Sequence, residues 1–183
     1  MPSRIKRTLL FVTVGAVVAS GALSASAPGG KNDVHYFYGE LQNRKMGDIR
    51  FVVLNGVAQD IVVRAHGKCV YKGEKVRPYF GSREASGIND TEVGPDGTFH
   101  ERQRIKVTLN RMELPYIRQI TARVGTGGAE ATGRIEWDTI YGGRQSKKVA
   151  HCDTGNRFAE LDEISRDEYV AIAEDSGIYG SIP

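Results

Sequence analysis

Two places in this 183-residue chain carry the residue types of metal or redox chemistry: His66 near Cys69, and His151 beside Cys152. Two thiolates and two imidazoles are the ligand set of a structural zinc site. The His-Cys adjacency departs from finger spacing, however, and the compartment argued below favours oxidised sulfur. A disulfide between Cys69 and Cys152 is therefore expected, since two cysteines allow one intrachain pairing. Closing a loop of that length contributes about 4 to 5 kcal/mol in the chain-entropy description. No metal site and no cofactor is expected.

Glu136 and Asp138 flank Trp137 at a spacing that puts both carboxylates on one face of a strand, as a glycosidase pair would need. Two acids at that spacing are more simply the wet side of an amphipathic strand. No serine stands in a nucleophile-elbow context, and four histidines among many acids select no triad. No catalytic residue is assigned. Gly125-Thr126-Gly127-Gly128 has the look of a phosphate loop, but such a loop must open a helix and a strand pattern follows.

The remaining chemistry is cationic. His100, Arg102, Arg104 and Lys106 alternate along one strand, a row able to contact an anionic polymer, or simply a solvated outer face. Arg83 sits in a polar stretch from Lys72 to Asp90 broken by Gly73, Pro78, Gly81 and Gly87, which predicts a long exposed loop and a second contact surface.

These residues need a scaffold and a location. Arg4, Lys6 and Arg7 precede an uncharged, mostly apolar run from Leu9 into small residues, the pattern of a secretory signal peptide over residues 1–26; an uncleaved anchor is the rival. Three of the 25 Lys and Arg belong to that leader, leaving 22 against 22 Asp and Glu, so the mature chain is neutral. A general affinity for nucleic acid loses its support, and no membrane span is expected after leader removal.

The scaffold reads as sheet. Ile49–Leu54 and Ala58–Arg64 are apolar strands around Asn55-Gly56, the strongest short hairpin signal. A three-residue loop, Asn55 to Val57 with Gly56 in a bulge, pairs Phe51 with Ile61 and Ile49 with Val63, leaving Arg50, Asp60 and Arg64 on a wet face. Further strands are expected at Asp33–Leu41, Thr98–Leu109, Tyr116–Val124, Ala129–Tyr141 and Gln145–Cys152, with Trp137 as a core anchor. Past Arg157 the pattern turns helical. Ser165-Arg166-Asp167-Glu168 forms a capping box and Gly177 a stop, predicting a helix near Arg166–Asp175. From Phe158 onward seven carboxylates face one Arg166, a net of −6, so the expectation is an acidic tail held lightly to the body by charge.

The order Tyr38-Gly39, Phe51-x-Val53, Cys69, Asp96-Gly97-Thr98-Phe99, Ala131-Thr132-Gly133 and Cys152-x-x-Gly155 resembles that of a group of exported actinobacterial proteins. The resemblance implies export, a single disulfide and a sandwich, and brings no activity with it. The acidic tail departs from that group. The expected fold is all-β, an antiparallel β-sandwich of about eight strands with one short C-terminal helix. Its parts are the leader (1–26), the sandwich domain (33–157) and an acidic tail (158–183). The expected function is a secreted or envelope-associated, non-catalytic binding or structural module with an extracellular or envelope ligand; a small extracellular hydrolase, or an inhibitor of a secreted enzyme, is the alternative.

Overall fold

The computed structural model describes residues 33–42, 47–77, 82–88, 90–142 and 145–177, with the backbone alone over 82–87. The leader at 1–26 lies outside the described residues. The strands in chain order are β1 (Val34–Glu40), β2 (Gly47–Leu54), β3 (Val57–His66), β4 (Lys68–Tyr71), β5 (Glu74–Val76) and β6 (Ser82–Ile88). They continue with β7 (Thr91–Glu92), β8 (Thr98–Leu109), β9 (Met112–Gly125), β10 (Gly128–Tyr141), β11 (Lys148–Asp153) and β12 (Arg157–Ile164); one helix, α1 (Arg166–Ser176), follows. The fold is thus mostly antiparallel β with one short C-terminal helix. Among the described residues twelve strands stand where about eight were expected, and all share one hydrogen-bonded sheet.

That sheet forks at β10. One edge of β10 pairs with β9, which pairs with β8. The other edge is shared, with β12 along Gly128–Gly133 and β11 along Glu136–Tyr141. From β12 the sheet runs on through β1, β2, β3 and β6; from β11 it runs to β4 and β5. The gap between the branches is closed by Thr154, whose backbone N–H donates to Ile135 O at 3.0 Å and whose Oγ1 accepts from Ile135 N at 2.9 Å. One threonine thus does for Ile135 what a neighbouring strand does elsewhere, which keeps buried backbone groups satisfied.

The sheet curls so that β3 and β6 pack across from β9 and β10. Phe37, Phe51 and Phe99 form a chain of rings at 5.1 Å, and Trp137 is 1 % exposed, the core anchor expected. At Gly133 an added Cβ would lie 2.7 Å from Val63 Cγ1, so the missing side chain sets how closely β10 and β3 approach. Cys69 and Cys152, directly opposite each other in β4 and β11, are joined by the expected disulfide.

The first hairpin corrects the expected turn. Asn55 and Gly56, both at positive φ, make a two-residue turn, with Leu54 opposite Val57. The extra residue instead sits at Asp60, where φ is 46° and the register shifts between Arg50 and Val52. Ile49 still faces Val63. Asp tolerates the left-handed region better than most residues through its short polar side chain, so a bulge can sit there and was invisible to a rule seeking glycine. Nor is the outer face of this hairpin wet: Arg50 and Asp48 are 1 % and 2 % exposed.

What covers that face is α1. Its capping box is formed as expected, and Gly177 closes it in the left-handed conformation. Tyr169 and Ala173 are fully buried, with Tyr169 packed on Tyr36 and Val52. The expectation of a lightly attached tail is therefore overturned. So is the boundary at 157/158, because β12 lies inside the sheet between β10 and β1. Outward acids gave β12 a charged look, while Ala159 and Leu161 point inward and are buried. The loop expected over Lys72–Asp90 is also corrected: β5 pairs with β4, and the β6 backbone pairs with β3. Ser-Arg-Glu-Ala-Ser-Gly-Ile lacks the β-branched residues that mark strands, so tertiary pairing overrides propensity there. The last expected strand starts later, at Lys148, and runs one residue further, to Asp153.

One pH dependence follows from β1. His35 Nδ1 lies 2.6 Å from Glu163 Oε1 on β12, and Nε2 lies 3.5 Å from Asp33. Burial works against the charged imidazole, but Glu163 and Asp33 outweigh it and hold its pKa above the ordinary value. A raised folded-state pKa means this stabilisation is complete below the unfolded value of about 6.5 and is lost as pH rises through the folded value. The melting temperature should fall from about pH 6 to about pH 8 in a way that His35→Gln flattens. Identical pH profiles would show that the pair contributes nothing.

Candidate functional site

The expected cationic row is present. Along β8, His100, Arg102, Arg104 and Lys106 are exposed on the outer face, while Phe99, Ile105 and Val107 turn to the core. Glu101 and Gln103, which break the apolar inner pattern, have partners there: Glu101 accepts from Thr91 Oγ1 at 3.3 Å and Gln103 accepts from Arg118. Burial lowers the pKa of Arg118. Arg83 is not brought to the row. Its backbone lies in β6 opposite Ala65, and its side chain is outside what the structure describes.

Strand pairing extends the row into a face. His100 stands opposite Thr121, Thr121 opposite Thr132, and Thr132 opposite Phe158, a line crossing β8, β9, β10 and β12. The next line toward the fork is Arg102, Gln119 and Arg134; the one after it is Arg104, Ile117, Glu136, Asp153 and Lys68. On the other side stand Thr98, Arg123, Glu130 and Glu160. Charge is spent unevenly on this face. Lys106 pairs with Glu113 at 2.7 Å, and Arg134 with Glu136 at 3.1 Å and with Asp153 at 2.7 Å. Among the described residues no ion pair forms at Arg102 or Arg104, so these two remain the uncompensated cations of the row.

At the far end of the face the fork opens a cleft of about 460 Å³ lined by Lys68, Val70, His151, Asp153, Gly155 and Arg157. Burial works against the charge on Asp153, but the guanidinium of Arg134, bonded to both oxygens, and the Gly155 N–H hold its pKa below the usual carboxylate range. Asp153 thus organises the fork rather than acting as a base. The disulfide lies behind this cleft, its sulfurs bonded to each other rather than available to a metal. His151 bonds Asp138 at 2.9 Å, and the backbone oxygen of His66 accepts from Arg157 at 3.3 Å.

Glu136 and Asp138 share the outer face as expected, and each is occupied, by Arg134 and His151 respectively. A carboxylate held in an ion pair on an open strand face has no enclosed substrate position beside it. Thr121, Gln119, Thr132 and Phe158 were missed at the sequence level. Counting outward from the Thr126-Gly127 turn would have paired Thr121 with Thr132, whereas Phe158 lay in the stretch read as tail. The chain matches no protein family, no curated protein and no solved structure, so its function must be argued from this face.

Proposed function

We propose that the chain is an exported, non-catalytic binding module acting at or outside the cell envelope, built on a β-sandwich-type scaffold. Its contact surface is the outer face of β8, β9 and β10, and its ligand is an anionic polymer. The observation that carries this is the row of four exposed basic residues in which Arg102 and Arg104 have no carboxylate partner among the described residues. Charges on an edge strand also prevent strand-to-strand aggregation. Export is supported by the leader pattern and by a buried disulfide, which belongs to oxidising compartments.

The test is binding of the mature protein to dextran sulfate across a salt series. Affinity should fall with rising salt, and Arg102→Glu with Arg104→Glu should abolish most of it while leaving the melting temperature within a few degrees, since both side chains are exposed. Equal binding by the charge-reversed variant would end this assignment. So would turnover of a hydrolase substrate by the wild type that Glu136→Gln abolishes.

A further inference from the structure

We infer that the polymer is an acidic polysaccharide, and that one of its sugar rings seats in a hollow beside Phe158 while its acidic groups reach Arg102 and Arg104. This rests on the anion-binding reading above and adds a site to it. The hollow, about 150 Å³, lies over β9, β10 and β12 and is bounded by Thr121, Arg123, Glu130, Thr132 and Phe158. It exists because two small side chains, Thr121 and Thr132, face each other where larger ones flank them.

Phe158 is 38 % exposed, one of two large hydrophobic side chains so placed among the described residues. An exposed ring on the outer side of a sheet gains nothing for the core and offers an apolar platform next to polar groups. The rim carries both donors and acceptors. Thr121 and Thr132 supply hydroxyls, Glu130 a carboxylate and Arg123 a guanidinium, and next to the rim His100 Nδ1 lies 2.7 Å from Thr121 Oγ1. A guest with one apolar face and hydroxyls around its edge uses all of these, and that is a pyranose ring. At about 4.8 Å between strands, the line from Phe158 to His100 spans roughly 14 Å, so neighbouring units of the same chain come within reach of Arg102 and Arg104. Those guanidiniums bind carboxylate or sulfate in a forked geometry, which neutral sugars would waste.

A single-stranded nucleic acid also combines stacking with negative charge. Successive bases would each need an aromatic face, and the lone ring of Phe158 does not make a base-stacking track.

The experiment is calorimetric titration of the mature protein with three probes, an oligogalacturonate, a neutral oligogalactan of matched length and an oligodeoxythymidylate, in wild type, Phe158→Ala and Arg102→Gln/Arg104→Gln. Amide shifts of Thr121 and Thr132 are followed in parallel. The oligogalacturonate should bind at low salt, with both threonines shifting. Phe158→Ala should weaken it about tenfold or more without changing the salt slope, and the double arginine variant should reduce that slope by about two. Unchanged binding by Phe158→Ala, with loss in the arginine variant, would overturn the sugar site and leave the anion-binding face standing. Tighter binding of the oligodeoxythymidylate would also overturn it, as would equal affinity for the neutral probe. Binding of no probe at low salt would remove both readings. Matching melting curves of the variants establish that each is folded.

Discussion

Replacing Cys69 and Cys152 together by alanine is expected to destabilise the folded chain by about 4 to 5 kcal/mol, with reduction of the wild type having the same effect. The bond closes a loop of 83 residues, and it joins the two short strands of the minor branch to the body. β4 has four residues and β5 three; β4 pairs with β11 over three positions, β5 among the described residues pairs with β4 alone, and beyond the bond the branch is held by Val76 and by Tyr71, whose ring lies 5.4 Å from that of Tyr141. With the sulfurs separated, the fork should loosen before the main sheet, starting with the turn at Lys72-Gly73. Urea unfolding of the double variant measures the effect, and thiol titration of the unreduced, denatured wild type should find no free thiol. A midpoint equal to wild type would mean the branch is held by pairing and packing alone.

The second large effect is at Tyr169. Its ring is fully buried against Tyr36 at 5.3 Å, with the Arg50 guanidinium 5.7 Å above it, and its hydroxyl donates to Asp60 Oδ2 at 2.8 Å. Burial and the Asp60 carboxylate together push the phenol far above its usual range, so it is a hydrogen-bond donor at any accessible pH. Burial also raises the pKa of Asp60, against the Tyr169 bond and Arg50, which lower it. Truncating Tyr169 to alanine should therefore cost about 3 to 5 kcal/mol, the range for a buried aromatic. Part of that is the price of leaving Asp60 without its donor beneath a hole. Tyr169→Phe isolates the hydroxyl and should cost about 1 to 2 kcal/mol. Chemical denaturation of both variants checks this; a loss under about 1 kcal/mol for Tyr169→Ala would mean the helix is ornamental.

How far this was legible in the sequence depends on the range of the interactions. Local signals were reliable: Asn55-Gly56, the capping box at Ser165, the stop at Gly177 and the alternation along β8 all act within a few residues. The disulfide was legible because two cysteines leave no choice. What failed was long-range. The bulged Asp60 has its partner 109 residues away, in the Tyr169 hydroxyl of α1, and nothing near Asp60 announces that. Arg50 reads as a surface group because its cover is likewise distant: its Nη1 donates to Ser176 Oγ at 2.9 Å. β12 was mistaken for tail because its outward acids dominate its composition, although Ala159 and Leu161 carry the inward pattern. The basic row was visible as a row, but the face around it depends on the register of four strands, which turn counting alone extends only to β9 and β10.

The central claim is that the acidic C-terminal segment is built into the fold, through β12 in the sheet and α1 on Arg50 and Asp60, and so does not cover the basic face of β8. A tail held by surface charge would detach at high salt and would compete for that same face. Native-state amide exchange of Arg166–Ser176, compared with the β2–β3 hairpin at low and high salt, separates the two. The account predicts that protection in the core of α1 approaches that of the hairpin and does not change with salt. Protection far below the hairpin, lost as salt is raised, would contradict it.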